Sequence, residues 1–454
     1  MSGTQIRDFT RGNITSQLIT FAWPLFLSNL LQVVYNMVDM IVVGHVLGKV
    51  GTSAVAVGGD VTNFLTFIAM GFANAGQVLI AKLIGSRQTH RLGRFVGTMC
   101  GFLLGCALVI SIGALSFQDT ILRLMNTPAE ALEGAVAYST VCMAGLVFIY
   151  GYNMVSAILR GMGDSKHPFL FIAIAAALNV VLDIIFVAVL DIGTAGAALA
   201  TVISQAVSFL CCTVFLIKNK EKFQLSTKLR DFVRWDKEML GDLVKLGTPM
   251  AIKSASVQVS KLFVNSWINS YGVEVSAFAG IANKVSSTAN LVSNAMNTAG
   301  STMVGQNIAA KEFGRVKQIL LRLASITLTI AAIFSCVLIL FPEAVFRIFT
   351  SDAQVLAIAG GYVPIAILLF LGSALRSAMN ALINGSGNYK INFVTAIMDG
   401  IVMRIGLAVL FGLVLDWKHY GFWLGDALAG FTPFWIGLIF YLTGLWKKST
   451  NPKK

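Results

Sequence analysis

Twelve stretches of nearly unbroken apolar positions divide this chain, at 14–44, 53–82, 92–117, 134–160, 168–190, 193–218, 247–272, 276–308, 315–341, 354–384, 392–415 and 420–446. Runs of about twenty residues with few charges match the thickness of a bilayer core when coiled as helices. Lipid offers backbone amides no partner, so a spanning segment is a helix or part of a closed barrel, and runs this long fit helices. The pattern predicts an all-α integral membrane protein with twelve transmembrane helices. Its longest polar stretch, from Lys218 to Lys245, divides an N-lobe (1–220, helices 1–6) from a C-lobe (247–454, helices 7–12). The linker itself, 221–246, reads as cytoplasmic and amphipathic, with Phe232, Trp235, Met239, Leu240 and Leu243 on one side, suited to the headgroup layer. A plain solvated linker helix is the equal alternative. The other loops are short and leave no room for a soluble catalytic domain.

The two lobes are copies. GMGDSK (Gly161 to Lys166) returns as GSGNYK (Gly385 to Lys390), a spacing of 224 that also pairs Gly76 with Gly300, Arg87 with Lys311 and Phe169 with Phe393, while Pro24 meets Pro249 one residue later. Six spans per copy is an even number, so both begin on the same side of the membrane and form a pseudo-symmetric pair. Such pairs are the build of secondary transporters.

Composition agrees. Of 454 residues 56% are hydrophobic and 12% charged, with a mean hydropathy of +0.77, against roughly a quarter charged in a soluble domain. Most of the 34 basic residues fall in loops on the side of the termini, and those of the other side hold only Lys49, Arg123, Arg347 and Lys418. By the positive-inside rule both termini are expected in the cytoplasm. The net charge of +13 is therefore topology and not a nucleic-acid footprint. The first residues carry no signal-peptide pattern, so the first helix is expected to target the chain to the cell (inner) membrane. Six scattered cysteines without C-x-x-C spacing read as small core hydrophobes.

The chemistry lies in polar residues at membrane depth, which are costly there and mark ion or substrate paths. On the first helix Asn29, Gln32, Asn36 and Asp39 make one polar stripe with Tyr35 beside it, and Pro24 is placed to kink the span. On the fifth, Asn179 and Asp183 share a face, and the sixth presents Thr201, Ser204 and Gln205. Two carboxylates, an amide oxygen and a hydroxyl form a hard oxygen set able to hold Na⁺ or a proton. The C-lobe differs in kind, with Gln258 and Lys261 on the seventh helix, Lys261 standing where Asn36 does in the first. Lys284 lies on the eighth and Arg404 on the eleventh, and Asp399 and Asp426 on the last two are expected to neutralise these cations. His45, His90, His167 and His419 sit unpartnered at helix ends or loops, and neither hydrolase nor P-loop spacing occurs, so no enzyme and no ATP use are expected.

Taken together, WPLFLSNLLQVVYNMVDMIVVGHVLG (Trp23 to Gly48), LRGMGDSKHPF (Leu159 to Phe169), ALNVVLDIIF (Ala177 to Phe186), GAALAT (Gly196 to Thr201) and STMVGQNIAAK (Ser301 to Lys311) resemble the MATE family of multidrug and toxic compound extrusion transporters. The resemblance implies two six-helix lobes around a central cavity, a kinked first helix, and exchange of H⁺ or Na⁺ for a small organic substrate. It is closer to the DinF-like branch, whose coupling residues fall here on Asp39, Asn179, Asp183 and Thr201. The paired acids of the NorM-like C-lobe site are missing, for Lys253, Gln258, Lys261, Gly372 and Ser373 stand in their place.

The expectation is thus a monomeric efflux antiporter for amphipathic drugs or toxic metabolites, without a cofactor, in contact with membrane lipids and not with nucleic acid. Gln32, Tyr35, Asn36 and Gln205 would line the N-lobe cavity. Gln258, Lys261, Lys284, Asp399, Arg404 and Asp426 would line that of the C-lobe. The competing reading is a lipid-linked precursor flippase of the same superfamily, at which the C-lobe cations hint.

Overall fold

The computed structural model describes residues 5–125, 127–225, 229–232 and 235–448, the side chains of 229 and 230 excepted. Residues 226–228 and 233–234 of the expected linker therefore lie outside the described residues. Among the described residues the chain is helical and holds no strand. The first repeat carries α1 (Ile14–Gly85), α2 (Leu92–Ser116), α3 (Gln118–Leu124), α4 (Ala129–Ala144), α5 (Leu146–Gly161), α6 (Lys166–Asp183) and α7 (Thr194–Lys218). The second carries α8 (Lys237–Asn269), α9 (Val273–Ala309), α10 (Phe313–Leu340), α11 (Pro342–Arg347), α12 (Ala353–Ala357), α13 (Ala359–Ser386), α14 (Tyr389–Ile397), α15 (Met403–Val409), α16 (Lys418–Ala429) and α17 (Thr432–Leu442).

Among the described residues eight helical stretches are long and apolar enough to cross a membrane, and α4 with α5, bent by 49°, makes a ninth. The longest of them, α1, is two spans: Gly48 breaks it at φ 63° and ψ −159°, a backbone that glycine adopts at least cost. Two more helices, α8 and α9, have 33 and 37 residues and so the length to span. They fall short on composition alone, because they carry Lys253, Lys261, Lys284 and a series of Ser and Asn. The total is twelve spans, six in each repeat.

The duplication is written in the backbone. Left-handed residues recur in pairs, Arg87 with Lys311 (φ 58° and 62°), Gly163 with Gly387 (87° and 68°) and Asp191 with Asp416 (48° and 51°). The first two pairs keep the spacing of 224, and the third has 225. Between them the second repeat widens into a π-helical turn at Met398–Val402. Such a turn takes up an extra residue without breaking the helix, which accounts for the shift. A second π turn, Leu410–Val414, matches Ile184–Val189 of the first repeat. Close packing recurs as well. A Cβ added at Gly161 would meet the Gln77 carbonyl oxygen at 2.8 Å, and one at Gly385 the Ser301 carbonyl oxygen at 2.7 Å.

Among the described residues the chain packs as two compact units, one holding those up to Arg7 and those of Leu27–Gly247, the other Asp8–Phe26 and those from Thr248 onward. In the first, Ala69, Ala107, Leu146, Ile149 and Tyr150 form a core, and the Tyr150 hydroxyl donates 2.8 Å to the Leu65 carbonyl. The opening turns of α8 belong here. Asp236 accepts from the amides of Glu238 and Met239 as an N-terminal cap, and Arg94 and Arg91 on α2 and just ahead of it pair with Asp236 (3.2 Å) and Glu238 (3.5 Å). Met239 and Leu243 are buried, while Trp235 lies edge-on to Phe102 of α2.

In the second unit, Leu18 and Phe21 of α1 share a core with Met303 and Val304 of α9, Leu323 of α10, Leu382 of α13 and Phe440 of α17. The segment ahead of α1 is pinned there by three side chains of the second repeat. Gln306 accepts the Phe9 amide at 2.9 Å, while Asn307 and Arg315 each donate 3.1 Å to the Phe9 carbonyl. Each repeat's first helix thus changes unit along its length, α1 between Phe26 and Leu27 and α8 between Gly247 and Thr248. Pro24 and Pro249 stand within three residues of these points.

Candidate functional site

Two buried acids of the first unit lie together with a buried amide. Asp39 on α1 is 8% exposed, Asn179 on α6 is 2% exposed and Asp183, a turn further on, is sealed. Across from α6, Thr201 on α7 accepts a 3.5 Å hydrogen bond from the Asn179 amide. A small cavity beside them is lined by Tyr35, Ile172, Ala175, Ala176, Asn179, Thr201, Ser204 and Gln205. Helix α6 passes into its π turn directly after Asp183, an irregularity frequent at functional sites. Asn36, expected on the same stripe, is exposed, and Gln32 is half-buried.

What distinguishes this place is the number of oxygens without a partner. Among the described residues, Oδ1 of Asp39, Oδ1 of Asn179, both carboxylate oxygens of Asp183, Oγ of Ser204 and Oε1 of Gln205 are buried and accept no hydrogen bond. Neither acid has an ion-pair partner among those residues, and the two carboxylates interact with each other electrostatically. Each unmatched buried acceptor costs about 1–3 kcal/mol, and a bare buried charge costs more. A bound proton or a small cation relieves that cost, and an oxygen-rich set with no thiolate or imidazole suits Na⁺. Among the described residues no group of three or more His, Cys, Asp or Glu is placed to hold a metal ion, so any cation here relies on the neutral oxygens of Asn179 and Thr201 as well.

The second unit holds charge of both signs. Arg404 on α15 is 2% exposed and donates to Asp399 at 3.0 Å and to Asp426 of α16. Lys253 on α8 donates to Asn380 of α13 at 2.7 Å, and Arg376 of α13 donates to Asn290 of α9. Ser373 joins the same network through Ser293 and Asn290. Lys261 and Gln258 are half-buried on α8, and Lys284 is exposed on α9, apart from the network. Lys253 and Arg376 are basic residues within apolar spans, the one signal in the chain that points to them.

With the spacing of 225 that holds beyond the extra π turn, Arg404 corresponds to Asn179 and Asp426 to Thr201. The neutral hydrogen bond of one repeat is an ion pair in the other. Asp39 and Asp183 correspond to Val264 and Ala408, so the acids have no counterpart.

Two six-span repeats, one with unpartnered acids at depth and the other with a buried charge network, define an integral membrane transporter of the internally duplicated kind. A single family model, MatE, matches residues 24–185 and again 249–410, spaced by the same 225. The chain belongs to the MatE family. It is 28% identical over 440 residues to the probable multidrug resistance protein YpnP of Bacillus subtilis (strain 168), covering 97% of each chain. It is 26% identical over 446 residues to the probable multidrug resistance protein NorM of Thermotoga maritima, covering 96% of this chain and 94% of that one. The solved outward-facing conformation of a multidrug resistance MATE family transporter of the MOP superfamily shares the fold, with a TM-score of 0.90 at 24% identity over 99% of this chain and all of that one. Members of the family are multi-pass membrane transporters, not enzymes, and are driven by gradients of H⁺ or Na⁺ and not by a bound cofactor.

Proposed function

We propose that this chain is a secondary active antiporter of the cell (inner) membrane, exporting amphipathic organic compounds in exchange for H⁺ or Na⁺ bound in the N-lobe. The observation that carries the reading is the group of unpartnered buried oxygens on Asp39, Asn179 and Asp183 beside Thr201. An ion that neutralises the two acids favours the arrangement of the protein that holds it, and a substrate that favours the other arrangement competes with the ion. The exchange is then a linkage between two ligands through one conformational equilibrium. A reading nearer the DinF-like branch is supported by the second repeat's having Val264 and Ala408 where the first has Asp39 and Asp183.

The proposal is tested in proteoliposomes with both termini of the protein mapped. Export of a cationic dye, rhodamine 6G, and of an anionic one, fluorescein, is followed under a proton gradient and under a sodium gradient. One gradient drives export in the wild type, and Asp39→Asn and Asp183→Asn abolish that dependence. Gradient-driven export at the normal rate in both variants contradicts the assignment. The flippase reading gains no support from the relatives, which are multidrug resistance proteins by name.

A further inference from the structure

The charge network of the second unit is unbalanced. Its cations are Lys253, Lys261, Arg376 and Arg404, and its acids are Asp399 and Asp426. Both acids are bound to Arg404. The remaining cations are left with neutral partners or none: Lys253 donates to the Asn380 amide oxygen and Arg376 to that of Asn290. Lys261 makes no hydrogen bond to another described residue, though it lies within electrostatic reach of Asp426, Asp399, Arg376 and Arg404. Lys253 is likewise within reach of Asp399, Arg376 and Arg404.

An amide oxygen satisfies a donor but returns no charge. A cluster that served only to hold helices together would be expected to balance, because uncompensated charge in a poorly solvated place is costly. This one carries two positive charges in excess. Its geometry also has a closed and an open side. Arg404 and Asp399 are 2% exposed, whereas Lys253, Lys261 and Arg376 are only half-buried, as is Asp426, so the side a solute can reach carries three cations against one acid, and that acid is bound to Arg404. Arg and Lys donors aimed at an accessible place within a low-dielectric surround recognise an oxyanion.

We propose that Lys253, Lys261 and Arg376 form an anion-binding subsite for the acidic group of an amphipathic molecule, with Arg404 held by Asp399 and Asp426 as its fixed support. The acidic group is a carboxylate, sulfonate or phosphate, and the molecule's apolar body lies against the surrounding helices. In the first repeat the same positions hold no cations, since Lys253 and Lys261 correspond to Ser28 and Asn36, at the spacing of 225 shared with the prolines, and Arg376 to Tyr152, at the spacing of 224. The two repeats then divide the labour, one holding the coupling cation and the other the substrate anion. As a transport statement this rests on the efflux reading. As a binding statement it stands without it.

The test measures binding and export separately. Fluorescence anisotropy of the purified protein in neutral detergent gives the affinity for fluorescein and for rhodamine 6G, two xanthene dyes of opposite charge. Loss of one charged hydrogen-bond donor is worth about tenfold in affinity. Lys261→Gln and Lys253→Gln are expected to weaken fluorescein by roughly that factor and to leave rhodamine 6G unchanged or tighter, with Lys261→Arg restoring fluorescein. Equal fluorescein affinity in wild type and both Gln variants overturns the subsite, as does a wild type that binds rhodamine 6G in preference to fluorescein. Phosphatidylglycerol added to the micelles distinguishes the sources: displacement of fluorescein from the wild type assigns the anion to a lipid headgroup, and its absence to a free compound, both supporting an anion site. If charge-dependent fluorescein binding holds but no gradient drives export of either dye, the efflux reading fails while the subsite stands.

Discussion

Arg404 binds Asp426 at the two positions where the first repeat joins Asn179 to Thr201 by a neutral hydrogen bond. Duplication gave both repeats the same helices, the same left-handed residues and the same close-packed glycines. The copies differ at this pair, in the absence of Asp39 and Asp183 from the second, and in the cations Lys253, Lys261 and Arg376 that only the second carries. Because Arg404 also holds Asp399, its removal takes the hydrogen-bonded ion-pair partner from two acids, whereas removal of Asp426 leaves Arg404 with one partner. Breaking a buried pair from one side costs about 3–5 kcal/mol. Arg404→Gln is expected to lose that much, and Asp426→Asn less, since the Asp426 side chain is 21% exposed. Thermal unfolding in detergent reads the order, and equal losses would refute it.

The paired glycines make a second prediction. Gly161 and Gly385 each let two helices approach until a carbonyl oxygen lies where a Cβ would stand, at 2.8 and 2.7 Å. Ala at either position forces backbone apart, and overpacking of this kind costs about 1–3 kcal/mol. Gly385→Ala and Gly161→Ala should lower the melting temperature by similar amounts, whereas Gly105→Ala, with open space around its Cβ, should not.

Pro24 supplies the third. It lies inside α1, two residues before the point where that helix passes from one compact unit to the other. Proline within a helix removes a backbone hydrogen bond and crowds the preceding turn, at a cost of roughly 3 kcal/mol. If its purpose is a bend that responds to the charge on Asp39, Pro24→Ala should leave stability equal or higher while slowing export several-fold. A variant that is both stable and fully active would reduce Pro24 to a static feature.

The sequence displayed the repeat, the twelve apolar spans and the polar residues at depth, because periodicity and the cost of charge in lipid are properties of the chain itself. It did not display how they combine. Lys284 reads like Lys261 in one dimension, yet it is exposed and apart from the network. The shift in repeat spacing from 224 to 225 is visible in the letters, but its cause, the π turn at Met398–Val402, is a matter of backbone hydrogen bonding. The passage of α1 and α8 from one unit to the other depends on tertiary contacts of Leu18, Phe21, Met239 and Leu243 that no local pattern encodes. Likewise the excess of cations in the second repeat is legible in the letters, but the binding of both acids to Arg404 is not.

Coupling is the central claim, and ion release on substrate binding tests it most directly. Purified protein is loaded with ²²Na⁺, or held in weakly buffered solution with a pH indicator, and the dye that the wild type exports is added. Competition predicts that the wild type releases Na⁺ or a proton on binding, while Asp39→Asn and Asp183→Asn bind the dye and release neither. Equal release from the wild type and both variants would contradict an ion site built on these two acids.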